Sequence, residues 1–164
     1  TTNVVSIPSI NINQARLEIE RMTEIVNQMF AKMTDVLFNP DKKLGKEIEE
    51  IQTLENQVDL LEREISNFLV KVSRDQLSRD QSNEITSMLH KVNELESIGD
   101  QCESIMKLLR RKYDMKLSFS ENGKKEIIET AGKVKEFLDL ITPHITSTST
   151  NIMPKAEVIE NRID

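Results

Sequence analysis

Six carboxylates in this sequence fall into two matched triplets. Glu96, Asp100 and Glu103 stand four and then three residues apart, and Glu55, Asp59 and Glu62 repeat that spacing upstream. Leu95 and Leu54 precede them, so Leu-Glu-x-x-x-Asp-x-x-Glu occurs twice; a further Glu-x-x-x-Asp pair, Glu160 and Asp164, ends the sequence. On a helix, residues four and seven apart share a face, so each triplet would project as one acidic stripe. Carboxylates gathered in one place repel at neutral pH unless a cation or a basic partner offsets them. Oxygen-only donors suit hard cations, namely magnesium, manganese, calcium or ferric iron, rather than a thiolate-held zinc. The competing reading is a solvated helix face. With 28 acidic residues in 164, such a triplet arises by chance roughly once in a chain this long. Position relative to the core separates the two readings, because each stripe flanks an apolar seam and two such stripes on neighbouring antiparallel helices would face each other across a groove.

The elements that must hold the stripes are legible as helices. Ile19, Met22, Ile25, Val26, Met29, Met33, Val36 and Leu37 recur at helical spacing, with Asn11 and Gln14 resembling a capping pair, which predicts a first helix over residues 12–38. Residues 1–12 contain Pro8 and β-branched residues without helical period and read as an extended lead-in or linker. After the Asn39-Pro40-Asp41 break, Ile48, Ile51, Leu54, Val58, Leu61, Ile65, Phe68 and Val72 hold a heptad seam and predict a helix over residues 43–73. Ser78 with Gln81 offers a capping box ahead of a third helix through Ile85, Met88, Val92, Leu95, Cys102, Met106 and Leu109 to Tyr113.

A fourth helix is expected from near residue 120, capped by Ser118 with Glu121 and carrying Ile127, Ile128, Ala131, Val134, Leu138 and Ile141; Pro143 should kink or stop it. A fifth opens at Pro154 and would carry Glu160 and Asp164. Strand signals are lacking, so the expected fold is all-α, an antiparallel helical bundle.

The segment Glu96-Ser-Ile-Gly-Asp-Gln-Cys-Glu-Ser-Ile105 resembles the Glu-x-Ile-Gly-Asp-x-x-Glu-Asn-Ile motif of the third helix in PhoU domains. Glu55-x-x-x-Asp59 stands where that family has its second-helix acidic motif, and Glu160-x-x-x-Asp164 resembles the start of the motif in its second half. The resemblance implies three-helix PhoU-like repeats, the first over about residues 13–113 and a truncated second over about 118–164. It implies metal ligands at Glu55, Asp59, Glu96 and Asp100, then Glu62 and Glu103, then Glu160 and Asp164, with iron, zinc, manganese or magnesium as the ion. It also implies a regulatory, non-catalytic part in phosphate transport and homeostasis. The partner would be the membrane domain of a phosphate transporter or a phosphate-signalling protein, with homodimerisation left open. A sequence that opens on Thr1 and ends within a helical pattern looks like a domain excised from a sodium/phosphate cotransporter-family protein, tethered on the cytoplasmic side of the membrane.

Composition narrows the field. With 22 basic against 28 acidic residues the formal charge is -6, which argues against a nucleic-acid partner. No apolar run reaches the length of about 18 residues that a membrane span needs. The lone Cys102 falls on an apolar face and reads as a small core residue. Neither His90 nor His144 has a Glu three residues before it, which disfavours a ferritin-like di-iron oxidase. His90 lies between seam positions Met88 and Val92 and should point outward, as a histidine phosphotransfer bundle would require, but no His-x-x-Lys-Gly context surrounds it. There is no Gly-rich phosphate loop and no nucleophile-base arrangement, so an enzyme is not expected. A metal-free helical adaptor is the other interaction-protein reading. Lys107, Arg110, Arg111, Lys112 and Lys116 cluster at the end of the third helix, where they complement its dipole or meet an acidic lipid surface.

Overall fold

The computed structural model describes residues 7–39, 44–116 and 119–142, and those residues form four helices and no strand: α1 (Ile7–Phe38), α2 (Leu44–Val72), α3 (Arg79–Asp114) and α4 (Glu121–Ile141). Helices α1, α2 and α3 each pack on the other two, and α4 lies chiefly against α1. The all-α antiparallel bundle expected from the sequence is therefore what the chain adopts. The expected fifth helix, with Glu160 and Asp164, lies outside the described residues, as does the question of whether α4 continues past Pro143.

Each helix follows its apolar stripe. Met22, Val26, Met29 and Met33 on α1 have no exposed surface, and Leu69, Val92 and Leu95 from α2 and α3 close against the same core. The unbranched methionines fill the space between three helices that a branched residue would fit less freely. Cys102 is also enclosed, and burial pushes its thiol up to about 12, so it serves packing rather than reactivity.

The boundaries carry three corrections. Residues 7–12 are the first turns of α1, not an extended lead-in, and Asn11 with Gln14 is interior rather than a cap. Pro8 stands in the first turn, where its missing N–H costs nothing, and Ile12 and Ala15 continue the buried stripe backwards. Side chains from α3 hold this start of α1: Gln81 Nε2 donates to Ser9 Oγ at 3.1 Å, and Arg16 pairs with Glu84. At α4 the cap is Ser120, whose Oγ accepts from the Gly123 N–H at 3.0 Å; the expected cap, Ser118, is outside the described residues. On α4 the inward face also includes Phe137, while Ile128 is 48% exposed. The box at Ser78 forms as expected, with Ser78 Oγ accepting from Gln81 N and Gln81 Oε1 accepting from Ser78 N.

The candidate carboxylate groove

Gly99 lies where the helices that carry the stripes pack on each other and on α1. A β-carbon there would stand 3.4 Å from Val58 Cγ1 and 3.9 Å from Met29 Sδ, so the bare backbone lets α3 settle closely against both α2 and α1. Val58 directly precedes Asp59 on α2, and Gly99 directly precedes Asp100 on α3. Their close approach brings the carboxylates of the two helices into one groove.

The antiparallel register then pairs them across the groove in order. Oxygens of Glu55, Asp100 and Glu103 lie within 4.8 Å of one another, and so do oxygens of Asp59, Glu96 and Asp100. Asp100 belongs to both sets and joins them into one cluster of five side chains. Glu62 sits at its edge, close enough to Glu96 to oppose its ionisation, while Ser66 Oγ donates to Glu62 Oε1 at 3.4 Å. Six of the eight predicted ligands are thus placed at or beside one groove, and Glu160 and Asp164 lie outside the described residues.

The groove is electrostatically loaded. Two full charges 4.8 Å apart repel by about 3 kcal/mol at an effective dielectric constant of about 20. Burial is the main cause that raises Glu55 to about 7; its hydrogen bond with Asp59 and the charges of Glu103, Asp59 and Asp100 add to it. Glu96 is likewise raised to about 7, first by burial, then by its hydrogen bond with Asp100 and the nearby charges of Asp100, Asp59 and Glu62. In the pairs Glu55–Asp59 and Glu96–Asp100 the glutamate, when protonated, can donate to the aspartate one turn on.

Few protein groups relieve this. Gln52 Nε2 donates to Glu55 Oε2 at 3.1 Å, and Lys107 Nζ reaches Glu103 Oε1 at 2.6 Å. Gln52 and Lys107 were not among the site residues read from the sequence, although both stand at helical spacing from a stripe residue, three before Glu55 and four after Glu103. A donor set of carboxylate oxygens with its acids held partly protonated fits a hard di- or trivalent cation, which would displace those protons.

His90, expected to face outward, is only 38% exposed at its side chain, with Nε2 3.5 Å from Glu94 Oε1. Glu94 is itself buried, a feature the seam pattern did not show. The apolar face of α3 is broad enough to draw in residues on either side of the seam.

The PhoU domain family model matches residues 19–109, more than half of the chain and the bulk of α1, α2 and α3. This chain belongs to the PhoU domain family. The match takes in both acidic stripes and ends before α4. No curated protein and no solved structure matches the chain. PhoU domains are regulatory and non-catalytic, with a role in phosphate homeostasis, and no helix among the described residues is long and apolar enough to cross a membrane.

Proposed function

We propose that this PhoU domain is a cation-responsive regulatory module in phosphate homeostasis, in which Glu55, Asp59, Glu96, Asp100 and Glu103 take a hard cation between α2 and α3. The observation that carries this reading is the meeting of five carboxylates from two helices in one groove, with a single lysine bridging to it among the described residues. A solvated face would spread such charges apart; here the five converge, with Glu55 only 6% exposed, Glu96 and Glu103 half-buried, and Asp59 and Asp100 open to solvent at the mouth of the groove. A bound cation would lock α2 to α3, so its arrival or loss would change the rigidity of the surface offered to a partner. Iron, manganese or magnesium suits the oxygen donors directly, and zinc is compatible with carboxylates at lower preference.

The finer reading is that the domain acts on a sodium/phosphate cotransporter-type membrane region or a phosphate-signalling protein, from the cytoplasmic side. What supports it is the family membership together with the absence of any catalytic arrangement in the sequence.

Elemental analysis of protein purified without chelator, paired with thermal melts, tests the module. Bound iron, zinc, manganese or magnesium is expected in wild type, lost in Glu96→Ala with Asp100→Ala. If wild type carries none and no such ion shifts its melting temperature, the domain is a metal-free adaptor. For the transporter reading, the gene's full reading frame decides: a series of membrane spans upstream of Thr1 supports it, and an initiator methionine directly before Thr1 ends it.

A further inference from the structure

The end of the bundle where α3 hands over to α4 has a chemistry opposite to the groove. Residues 107–125 hold seven basic residues against two acidic ones, a net +5 inside a chain whose formal charge is -6. This is more than a helix terminus needs for its dipole, since only the last turn of α3 feels that field, and Lys116, Lys124 and Lys125 lie beyond it.

Apolar side chains share the same tip. Of the ten large apolar side chains exposed among the described residues, five are here: Phe38 at 61%, Leu108 at 48%, Tyr113 at 52%, Met115 at 55% and Ile128 at 48%. Phe38, Tyr113 and Ile128 line a cleft of about 880 Å³ between the ends of α1 and α3 and the start of α4, and Lys112, Lys116 and Lys124 line it too. Lys112 Nζ stands 5.0 Å from the centre of the Phe119 ring, so the cation is held over the cleft floor rather than away from it. Lys116 takes a left-handed conformation, with φ 50°, in the turn that follows α3, and Met115 beside it is solvent-facing. The left-handed residue ends the helix sharply and leaves Tyr113, Met115 and Lys116 prominent at the tip.

We propose that this tip docks on an anionic phospholipid surface. Arg111 and Lys116 meet the lipid phosphates, and Tyr113, Met115 and Phe38 enter the boundary between headgroups and acyl chains. Aromatic and long basic side chains suit that boundary because each has an apolar body and a polar end. The pattern favours a lipid surface over an acidic protein. The cations lie on long arms around a protruding apolar tip, which matches a plane of many equivalent mobile phosphates rather than carboxylates at fixed positions. The inference is independent of the groove and of whether any cation fills it.

Flotation of the full chain with vesicles tests the surface, using phosphatidylcholine alone and phosphatidylcholine mixed with phosphatidylglycerol. Wild type is expected to float with the anionic vesicles and not with the neutral ones, and raised salt should weaken the binding. Each cation near an anionic surface contributes roughly a fivefold gain in partitioning, so Arg111→Glu with Lys116→Glu should lose at least ~25-fold. Tyr113→Ser with Met115→Ser should weaken binding even in low salt, which a purely ionic contact would not show. Lys71→Glu with Arg74→Glu, reversed at the opposite end of the bundle, is expected to bind as wild type does. The proposal is overturned if wild type ignores anionic vesicles, if the tip variants float equally well, or if the Lys71 and Arg74 reversal costs as much as the tip reversal. Unchanged far-ultraviolet circular dichroism in the variants excludes misfolding as the cause.

Discussion

Helix α3 carries two charged regions of opposite sign, and they differ in how the fold treats them. Along its middle, Glu96, Asp100 and Glu103 face the carboxylates of α2, and burial, followed by hydrogen bonding and mutual repulsion, raises Glu55 and Glu96 to about 7. Toward its end, Arg110 and Arg111 are exposed and make at most loose pairs, such as Arg110 Nε to Asp114 Oδ2 at 3.6 Å. The same density of charge is therefore costly in the first region and nearly free in the second, because desolvation acts only where the groups are enclosed. A costly cluster calls for a counter-ion within the fold, whereas an inexpensive one is suited to an external surface.

The sharpest way to break that contrast is to force α2 and α3 apart. Gly99→Leu places a branched side chain where even a β-carbon would stand 3.4 Å from Val58, and overpacking of this kind costs about 2 kcal/mol. Urea unfolding should show that loss, together with loss of any stabilisation by manganese or magnesium, while vesicle binding at the tip is unaffected. Gly99→Ala is expected near neutral, because its contact is barely tight and alanine gains about 1 kcal/mol of helix propensity over glycine. A Gly99→Leu protein that keeps its full cation response would show that helix separation does not set the groove.

A smaller effect comes from pH. A carboxyl whose folded pKa is raised binds its proton more tightly when folded. The stability it contributes is present below the unfolded value near 4.5 and lost as pH rises through the folded value of about 7, as for both Glu55 and Glu96. Between pH 5 and 8 without metal, unfolding free energy should fall by on the order of 2 kcal/mol. That is well short of two full shifts, since Glu96 is partly solvated and screening weakens its share. Added manganese should flatten the decline, and Glu96→Gln should reduce both the decline and the response to manganese. Stability that climbs across this window in metal-free protein would contradict the assignment.

How far these regions were legible in the sequence depended on whether spacing or packing decided them. Helical spacing was enough for the register of the two stripes, because Glu55 to Asp59 and Glu96 to Asp100 are fixed by the helix itself. On α2 it placed Ile51, Val58, Ile65 and Val72 correctly in the core but missed a small turn of the buried face. The seam through Leu54, Leu61 and Phe68 is only half-buried, while Glu55 and Leu69 on the adjoining ridge are enclosed. The reason lies outside α2: the helix packs against both α1 and α3, which widens its buried face beyond one seam, and no periodicity within α2 could show it. Pro8 misled for the converse reason, since a residue that breaks helix interiors is tolerated in a first turn. The basic cluster was visible as charge, but its apolar companions Phe38 and Ile128 come from α1 and α4 and meet it only in the fold.

Lys107 marks the border between the two regions, and altering it gives the smallest and most discriminating test. Its ammonium lies 2.6 Å from Glu103, is raised chiefly by that hydrogen bond, and is 68% exposed at the side chain, so solvent screening leaves the pair little weight in stability. Lys107→Gln should therefore leave the stability of metal-free protein nearly unchanged. The same change frees Glu103 for an incoming ion and removes a positive charge that repels it. Manganese affinity, measured by calorimetry, is then expected to rise by a few fold, about 1 kcal/mol. If affinity falls instead, Lys107 is part of what assembles the groove rather than a competitor for it, and the two regions of α3 are coupled rather than separate.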